Sequence, residues 1–252
     1  MIRSTDSVLI KKLFLEHGFE HHIAAKQYAT HHLVQDWQFR FLFDRGVKPH
    51  HNFLDIGCGW LRLAQALLPY LEEGRYFGID AIQVHLDMGR KFLEQTGVVE
   101  KPTILCASDF AFEHFGTQFD FAVSHAVFTH LTHEQIRLCL RQLKKVMRPG
   151  GRCYCTFYEA RHDGERSTSY MLSGAQPLQF GSAHVSLKFF DSLFRELDMS
   201  WEYLGRCRHP TGQHVLEITF GPPNRSLKPS LTSTLRRTAR TARRKLRGVL
   251  TD

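Results

Sequence analysis

The sequence predicts an α/β protein built on a doubly wound, mostly parallel seven-stranded sheet with an antiparallel strand at its C-terminal edge. Three observations predict it. Short apolar strands alternate with helices of about 10–15 residues, the pattern of a parallel sheet covered on both faces. A glycine-rich turn, Gly57-Cys58-Gly59, follows the first strand directly. Carboxylates stand near the ends of successive strands, at Asp55, Asp80 and Asp109.

The elements follow in order. Residues 6–17 and 22–45 read as helices. In the second, Ile23, Tyr28, Val34, Trp37, Phe41 and Leu42 recur at roughly helical spacing, and Gly46 and Pro49 end it. Residues 52–56 form a short strand that runs into the glycine turn. Residues 61–71 are a helix, and 75–79 a second strand ending at Asp80. A helix over 83–96 leads to a third strand over 103–106. The fourth strand covers 119–124, before a long helix over 133–147. Pro149-Gly150-Gly151 makes a turn, and residues 152–158 are the fifth strand.

After Tyr158 the alternation breaks. Residues 159–181 are polar and read as a loop or lid. Leu187, Phe190, Leu193, Phe194 and Leu197 share one face of a helix over 187–197. Strands over 200–204 and 214–220 then pair and close the sheet. Gly221-Pro222-Pro223 reads as a linker. The expected organisation is a helical cap over 1–48, a ligand-binding domain over 49–222 and a tail over 223–252.

Composition excludes several classes. With 42% of 252 residues hydrophobic, the chain can bury a sizeable core. No apolar run approaches the roughly 18 residues of a spanning helix, and the N-terminus lacks a signal core. The six cysteines form no Cys-x-x-Cys pair, which suits a reduced, cytoplasmic protein, and the histidines lack metal-ligand spacing, so no metal is expected. The net charge of +8 sits in the tail, where residues 225–252 hold nine Lys/Arg against one Asp. The rest of the chain is balanced, which argues against a globally basic nucleic-acid enzyme. In the tail, Arg236, Arg240, Arg243 and Arg247 fall at helical spacing beside a stripe of Leu235, Ala239, Ala242, Leu246 and Leu250. Such a segment suits the surface of an anionic membrane, with peripheral localisation, or a nucleic acid; a solvated extension is the plainer alternative.

The chemistry concentrates at the strand ends. Glycines at 57 and 59 let backbone approach a ligand, because no Cβ intervenes. The third glycine of a pyrophosphate fingerprint is absent, since Arg62 stands there. An Asp before the turn suits a ligand bearing an amino group and no phosphate. Asp80, with Ala81 beside it, ends the second strand where a carboxylate can accept both hydroxyls of a ribose. Asp109 follows the third strand and can accept from an adenine amine, flanked by Ser108 and Phe110. Ser124 ends the fourth strand at the reactive end of such a ligand.

Over residues 50–158 this series resembles the class I S-adenosylmethionine-dependent methyltransferases. Leu54-Asp55-Ile56-Gly57-Cys58-Gly59 resembles their first motif and Tyr76-Phe77-Gly78-Ile79-Asp80 their second. Phe119-Asp120 through Ser124, with Val127-Phe128-Thr129-His130-Leu131, resembles the fourth, and the stretch from Leu143 to Gly151 resembles the turn after it. Leu61-Arg62 and His209-Pro210-Thr211-Gly212-Gln213 are similar to a bacterial subgroup of small-molecule methyltransferases. The resemblance implies a Rossmann-like fold, S-adenosylmethionine as cofactor, and cofactor contacts by Asp55, Gly57, Cys58, Gly59, Asp80, Ala81, Ser108, Asp109, Phe110 and Ser124.

The acceptor is less legible. His125 follows the fourth strand and His130 lies one turn on; a histidine there can deprotonate an acceptor hydroxyl near neutral pH, so both are candidate catalytic residues. Structural roles compete at each, as at His184 and His209. Tyr158 is placed to line the pocket, and Tyr28 and Trp37 to cover it or simply to pack. Ser124-His125-Ala126-Val127 replaces the Asn-Pro-Pro-Tyr motif of amide and base N-methyltransferases. The expected reaction is therefore O-methylation of a small molecule. The rivals are an NAD(P)-dependent oxidoreductase, which Arg62 disfavours, and a non-catalytic cofactor-binding module.

Overall fold

The structure is a computed structural model that describes residues 12–13, 15–16, 21–160 and 183–221, with backbone alone for 21–30. Most of the expected 6–17 helix, nearly all of the polar loop, the Tyr28 side chain and the basic tail lie outside these described residues.

Helix α1 (His21–Asp44) comes first, followed by β1 (Phe53–Ile56), α2 (Arg62–Leu67) and β2 (Tyr76–Asp80). Then come α3 (Gln83–Gln95), β3 (Thr103–Cys106), a 3-10 turn (Phe112–Phe115), β4 (Phe119–Ser124) and α4 (His133–Val146). The chain continues through β5 (Met147–Glu159), β6 (His184–Val185), α5 (Leu187–Glu196), β7 (Ser200–Gly205) and β8 (His214–Thr219). The sheet order is β3-β2-β1-β4-β5-β8-β7, with β6 paired to the end of β5. Strands β1 to β5 pair in parallel, and β8 runs antiparallel to both β5 and β7. The antiparallel element thus sits in the expected C-terminal edge region, inserted between β5 and β7, and two-residue β6 makes an eighth strand.

Alternation along the strands divides the core between two faces. From β1, Phe53 joins Leu42, Leu61, Tyr76 and Phe121 on the α1–α2–α3 side. Leu54 and Ile56 join Phe128, Leu140, Leu143 and Phe190 on the α4–α5 side. Asp55 shares the face of Phe53, so a carboxylate points into apolar packing on the α1 side. Helix α4 reads from sequence without ambiguity. Ile136, Cys139, Leu140, Leu143 and Val146 form its buried stripe, and Thr132 with Gln135 makes a reciprocal capping box.

Two boundaries moved. Helix α2 ends at Leu67, shorter than the expected 61–71. The Pro149-Gly150-Gly151 turn is a bulge within β5: Phe119 pairs with Met147 and Phe121 with Arg152, so the residues between are extruded. Gly150, at φ +84°, donates to the Phe220 carbonyl, which anchors the bulge to the end of β8.

Candidate functional site

The C-terminal ends of β1, β2, β3 and β4 gather the residues nominated from sequence. The turn after β1 is wound by two glycines and a leucine in the left-handed region, with Gly57 at φ +69°, Gly59 at +53° and Leu61 at +61°. Its amide groups are committed inside the protein. Gly57 and Cys58 both donate to the Ile79 carbonyl, at 2.8 and 3.0 Å, and Gly59 donates to Asp80 Oδ2 at 2.9 Å. None of the three is left to cradle a phosphate, which is what the missing third glycine implied.

The two glycines serve different neighbours. A Cβ on Gly57 would drive into Val127 Cγ2, so this glycine lets the segment after β4 lie against the turn. A Cβ on Gly59 would meet no atom of the other described residues within 4 Å, so its open face is available to a ligand. Cys58 is buried, with its Sγ packed under Gly78.

Asp80 holds the turn from the next strand. Besides Gly59 it accepts from the Ile82 amide at 2.9 Å, through Oδ1, and His85 Nδ1 lies 3.4 Å from the same oxygen. Oδ2, with one donor, keeps a lone pair for a ribose hydroxyl. Ala81 beside it is exposed. At the end of β3, Ser108 and Asp109 are exposed, and Asp109 Oδ1 accepts from the Ala111 amide at 3.2 Å. Phe110 departs from its expected place beside a ligand ring. At φ +57° its side chain turns into the core against Phe112, so it anchors the loop while Ser108 and Asp109 face outward. Ser124 is fully buried, and its Oγ has no hydrogen-bond partner among the described residues.

Asp55 is buried beneath the turn. Tyr76 donates its hydroxyl to Asp55 Oδ2 at 2.5 Å. Burial raises the Asp55 carboxyl to about 7, against the opposing pull of Tyr76 and Arg62. Arg62, whose guanidinium is lowered to about 10 by burial, has a buried Nε without a partner among the described residues. The α1 cap reaches this point: Gln35 Nε2 donates to the Arg62 carbonyl at 2.6 Å and to Gln65 Oε1 at 2.7 Å.

Beyond β4 the site is closed by a hydrogen-bonded ring that sequence inspection missed. Ala126, strained at φ +58°, donates its amide to Thr156 Oγ1 at 2.7 Å. Thr156 donates to Gln213 Oε1 at 2.6 Å, and Gln213 Nε2 donates to Thr211 Oγ1 at 3.3 Å. Thr211 contacts His209 Nδ1, and His209 Nε2 lies 2.8 Å from His125 Nε2. Trp37 of α1 covers the pair, its ring 4.4 Å from that of His209, and its indole N–H donates to the Cys207 carbonyl at 2.9 Å. His125 and His209 are both buried, and burial with the nearby Arg62 charge depresses both, His209 to about 4. The signal available in sequence was the His209-Pro-Thr-Gly-Gln stretch, but its partner lies 84 residues away.

His130 is half-buried in the turn after β4, and its amide donates to the Val127 carbonyl at 2.8 Å. His184 stands on β6 with its ring 5.4 Å from Tyr158. Among the described residues no group of three His, Cys, Asp or Glu is placed to hold a metal, and no helix is long and apolar enough to cross a membrane.

A family described as "Methyltransferase domain" matches residues 53–151. A probable fatty acid methyltransferase from Pseudomonas putida is 31% identical over 99 residues, which cover 39% of this chain and 24% of that protein. The chain thus spans about a quarter of that relative's length. Among solved structures, a magnesium protoporphyrin IX methyltransferase from Synechocystis PCC 6803, with S-adenosylmethionine bound, superposes with a TM-score of 0.57 at 14% identity. The match covers 86% of this chain and 97% of that one. Streptomyces venezuelae DesVI superposes with a TM-score of 0.58 at 16% identity, over 78% and 98% of the two chains. At these identities the superpositions speak for the fold.

Proposed function

We infer that the protein is a class I S-adenosylmethionine-dependent methyltransferase, a reading supported by the methyltransferase-domain match over residues 53–151. The protein binds S-adenosylmethionine at the C-terminal ends of β1 to β4 and transfers its methyl group to a small-molecule acceptor. The carrying observation is the open face of Gly59 next to Asp80, with the turn's own amides already satisfied. That arrangement fits a nucleoside without phosphate. Asp80 accepts the ribose hydroxyls, with Ala81 alongside. Ser108 and Asp109 take the adenine edge, and Phe110 holds their loop in place. Asp55, Gly57, Cys58 and Gly59 shape the floor under the amino-acid portion, and the free Ser124 Oγ finds its partner there.

Bound S-adenosylmethionine supplies an electrophilic methyl carbon with a neutral sulfide as leaving group. The residues of the chain therefore align, desolvate and carry away a proton. We propose an oxygen nucleophile as acceptor, because Ser124-His125-Ala126-Val127 offers histidine where amide and base N-methylating enzymes carry a different motif. With the cofactor bound, an acceptor oxygen aligned with its methyl carbon would have to give up its proton to a group of the chain or to water. His125 and His130 are the histidines that the sequence nominates as proton acceptors; the first is buried with its ring engaged by His209, and the second is half-buried.

A screen with methyl-labelled S-adenosylmethionine against fractionated metabolites tests this reading. Label should appear in a product whose methyl group sits on oxygen. Label found only on nitrogen, sulfur or carbon would refute the O-methyl assignment. Absence of S-adenosylmethionine binding by calorimetry would remove the enzyme reading altogether.

A further inference from the structure

We propose that His209 is a positioning residue that locks His125 as the neutral Nδ1–H tautomer, so that His125 takes no proton during methyl transfer. The inference deepens the proposed methyltransferase reading, in which His125 directly follows the strand end assigned to the cofactor.

The direction of the lock follows from a backbone group that cannot be reversed. The Thr211 amide lies 3.2 Å from His209 Nδ1 and can only donate, so Nδ1 must present its lone pair. The Thr211 hydroxyl, at 3.2 Å, accepts from Gln213 and points the same way. A neutral imidazole carries one proton, so it resides on His209 Nε2. His209 Nε2 then donates across 2.8 Å to His125 Nε2, which must be an acceptor. The proton of neutral His125 is left on Nδ1. Polarity runs one way around the ring, from the Ala126 amide through Thr156 and Gln213 to Thr211, His209 and His125.

Protonating either ring breaks this chain, because both lone pairs are in use. The charged and titratable surroundings oppose it as well. Arg62 from α2 faces both rings, and His214 faces His209 from β8. Trp37, packed over both rings from α1, contributes no titratable group. The rings lie nearly parallel, with an interplanar angle of 18°, and neither reaches bulk water freely. A general base needs a vacant lone pair facing the substrate, and His125 Nε2 has none. Of the two histidines nominated from the sequence, His130 is thereby the one left for that task.

Long-range nitrogen–proton NMR on the 15N-labelled full chain reads the tautomers without any methyl acceptor, so its outcome is independent of the proposed activity. His125→Gln removes one set of signals and assigns them. The expected pattern for His125 is protonated Nδ1 and unprotonated Nε2, with the reverse for His209, both unchanged from pH 6 to 8.5. A protonated Nε2 on His125, or titration of either ring in that range, overturns the proposal. In His209→Phe, which keeps a ring under Trp37 but removes the donor, His125 should become a tautomer mixture. In His209→Gln, which keeps an N–H, the wild-type pattern should return. An unchanged His125 spectrum in His209→Phe would also overturn it. Should that variant fail to fold, the wild-type spectrum still decides.

Discussion

Asp80 reaches back 21 residues to accept the Gly59 amide on its Oδ2, at 2.9 Å. One carboxylate thus braces the glycine turn while it stands where a ribose is proposed to bind. Asp80→Ala removes both functions. The loss of charge-assisted hydrogen bonds should weaken S-adenosylmethionine binding by about 1–3 kcal/mol, with a loss of stability because the Gly59 amide is orphaned. Titration calorimetry with S-adenosylhomocysteine and thermal unfolding check the two effects. Unchanged affinity would remove Asp80 from the ribose assignment.

The glycines of the turn separate folding from binding. Gly57→Ala puts a methyl group into Val127 at φ +69°, and it should cost stability and binding together. Gly59→Ala meets open space and bears only left-handed strain, about 1 kcal/mol. It should leave a folded protein with strongly reduced cofactor affinity. A Gly59→Ala protein that binds S-adenosylhomocysteine like wild type would show that no ligand approaches this face.

Asp55 gives the site its pH dependence. Its carboxyl is raised to about 7 when folded, above the ordinary 3.9 or so of an unfolded Asp. The folded state therefore holds the proton more tightly, and the stability this contributes is complete below about pH 4. It is lost as pH rises toward 7 and changes no further above that. Thermal unfolding between pH 4 and 8 should show this slope in wild type and lose it in Asp55→Asn. A cationic ligand nearby favours the carboxylate, so binding near pH 6.5 should release protons. Calorimetry in buffers of different ionisation enthalpy reads that release, and an equal release in Asp55→Asn would assign it elsewhere.

Thr156 sits at the buried start of the polar ring beyond β4. Thr156→Val keeps the shape and leaves the Ala126 amide and Gln213 Oε1 without their partner. The cost should be about 1–3 kcal/mol, visible as a fall of several degrees in Tm. By contrast, Thr132→Ala, at the cap of α4 on the exposed side, should cost about 1 kcal/mol with no change in cofactor affinity. If Thr156→Val is as stable as wild type, the ring carries no structural weight.

Legibility differed sharply between the two halves of the site. Asp55, Gly57, Gly59 and Asp80 could be read because each sits within a few residues of a strand that periodicity reveals. Phe110 was named beside the ligand, yet local strain at φ +57° and the pull of the core turned it inward. Tyr76 was visible only as part of a strand, and nothing nearby announced that its hydroxyl would hold Asp55. Thr156, Gln213 and the pairing of His125 with His209 depend on β8 entering antiparallel beside β5. No spacing rule encodes that contact.

By itself, the amino-acid sequence determined the alternation of strands and helices, the glycine turn and the order of carboxylates, because these arise from local sterics and the burial of regular apolar patterns. Only the tertiary structure decided which lone pairs remain vacant. That depends on donors brought from α1, β5 and the β7–β8 turn to within about 3 Å of one another, a distance set by the packing of the whole sheet.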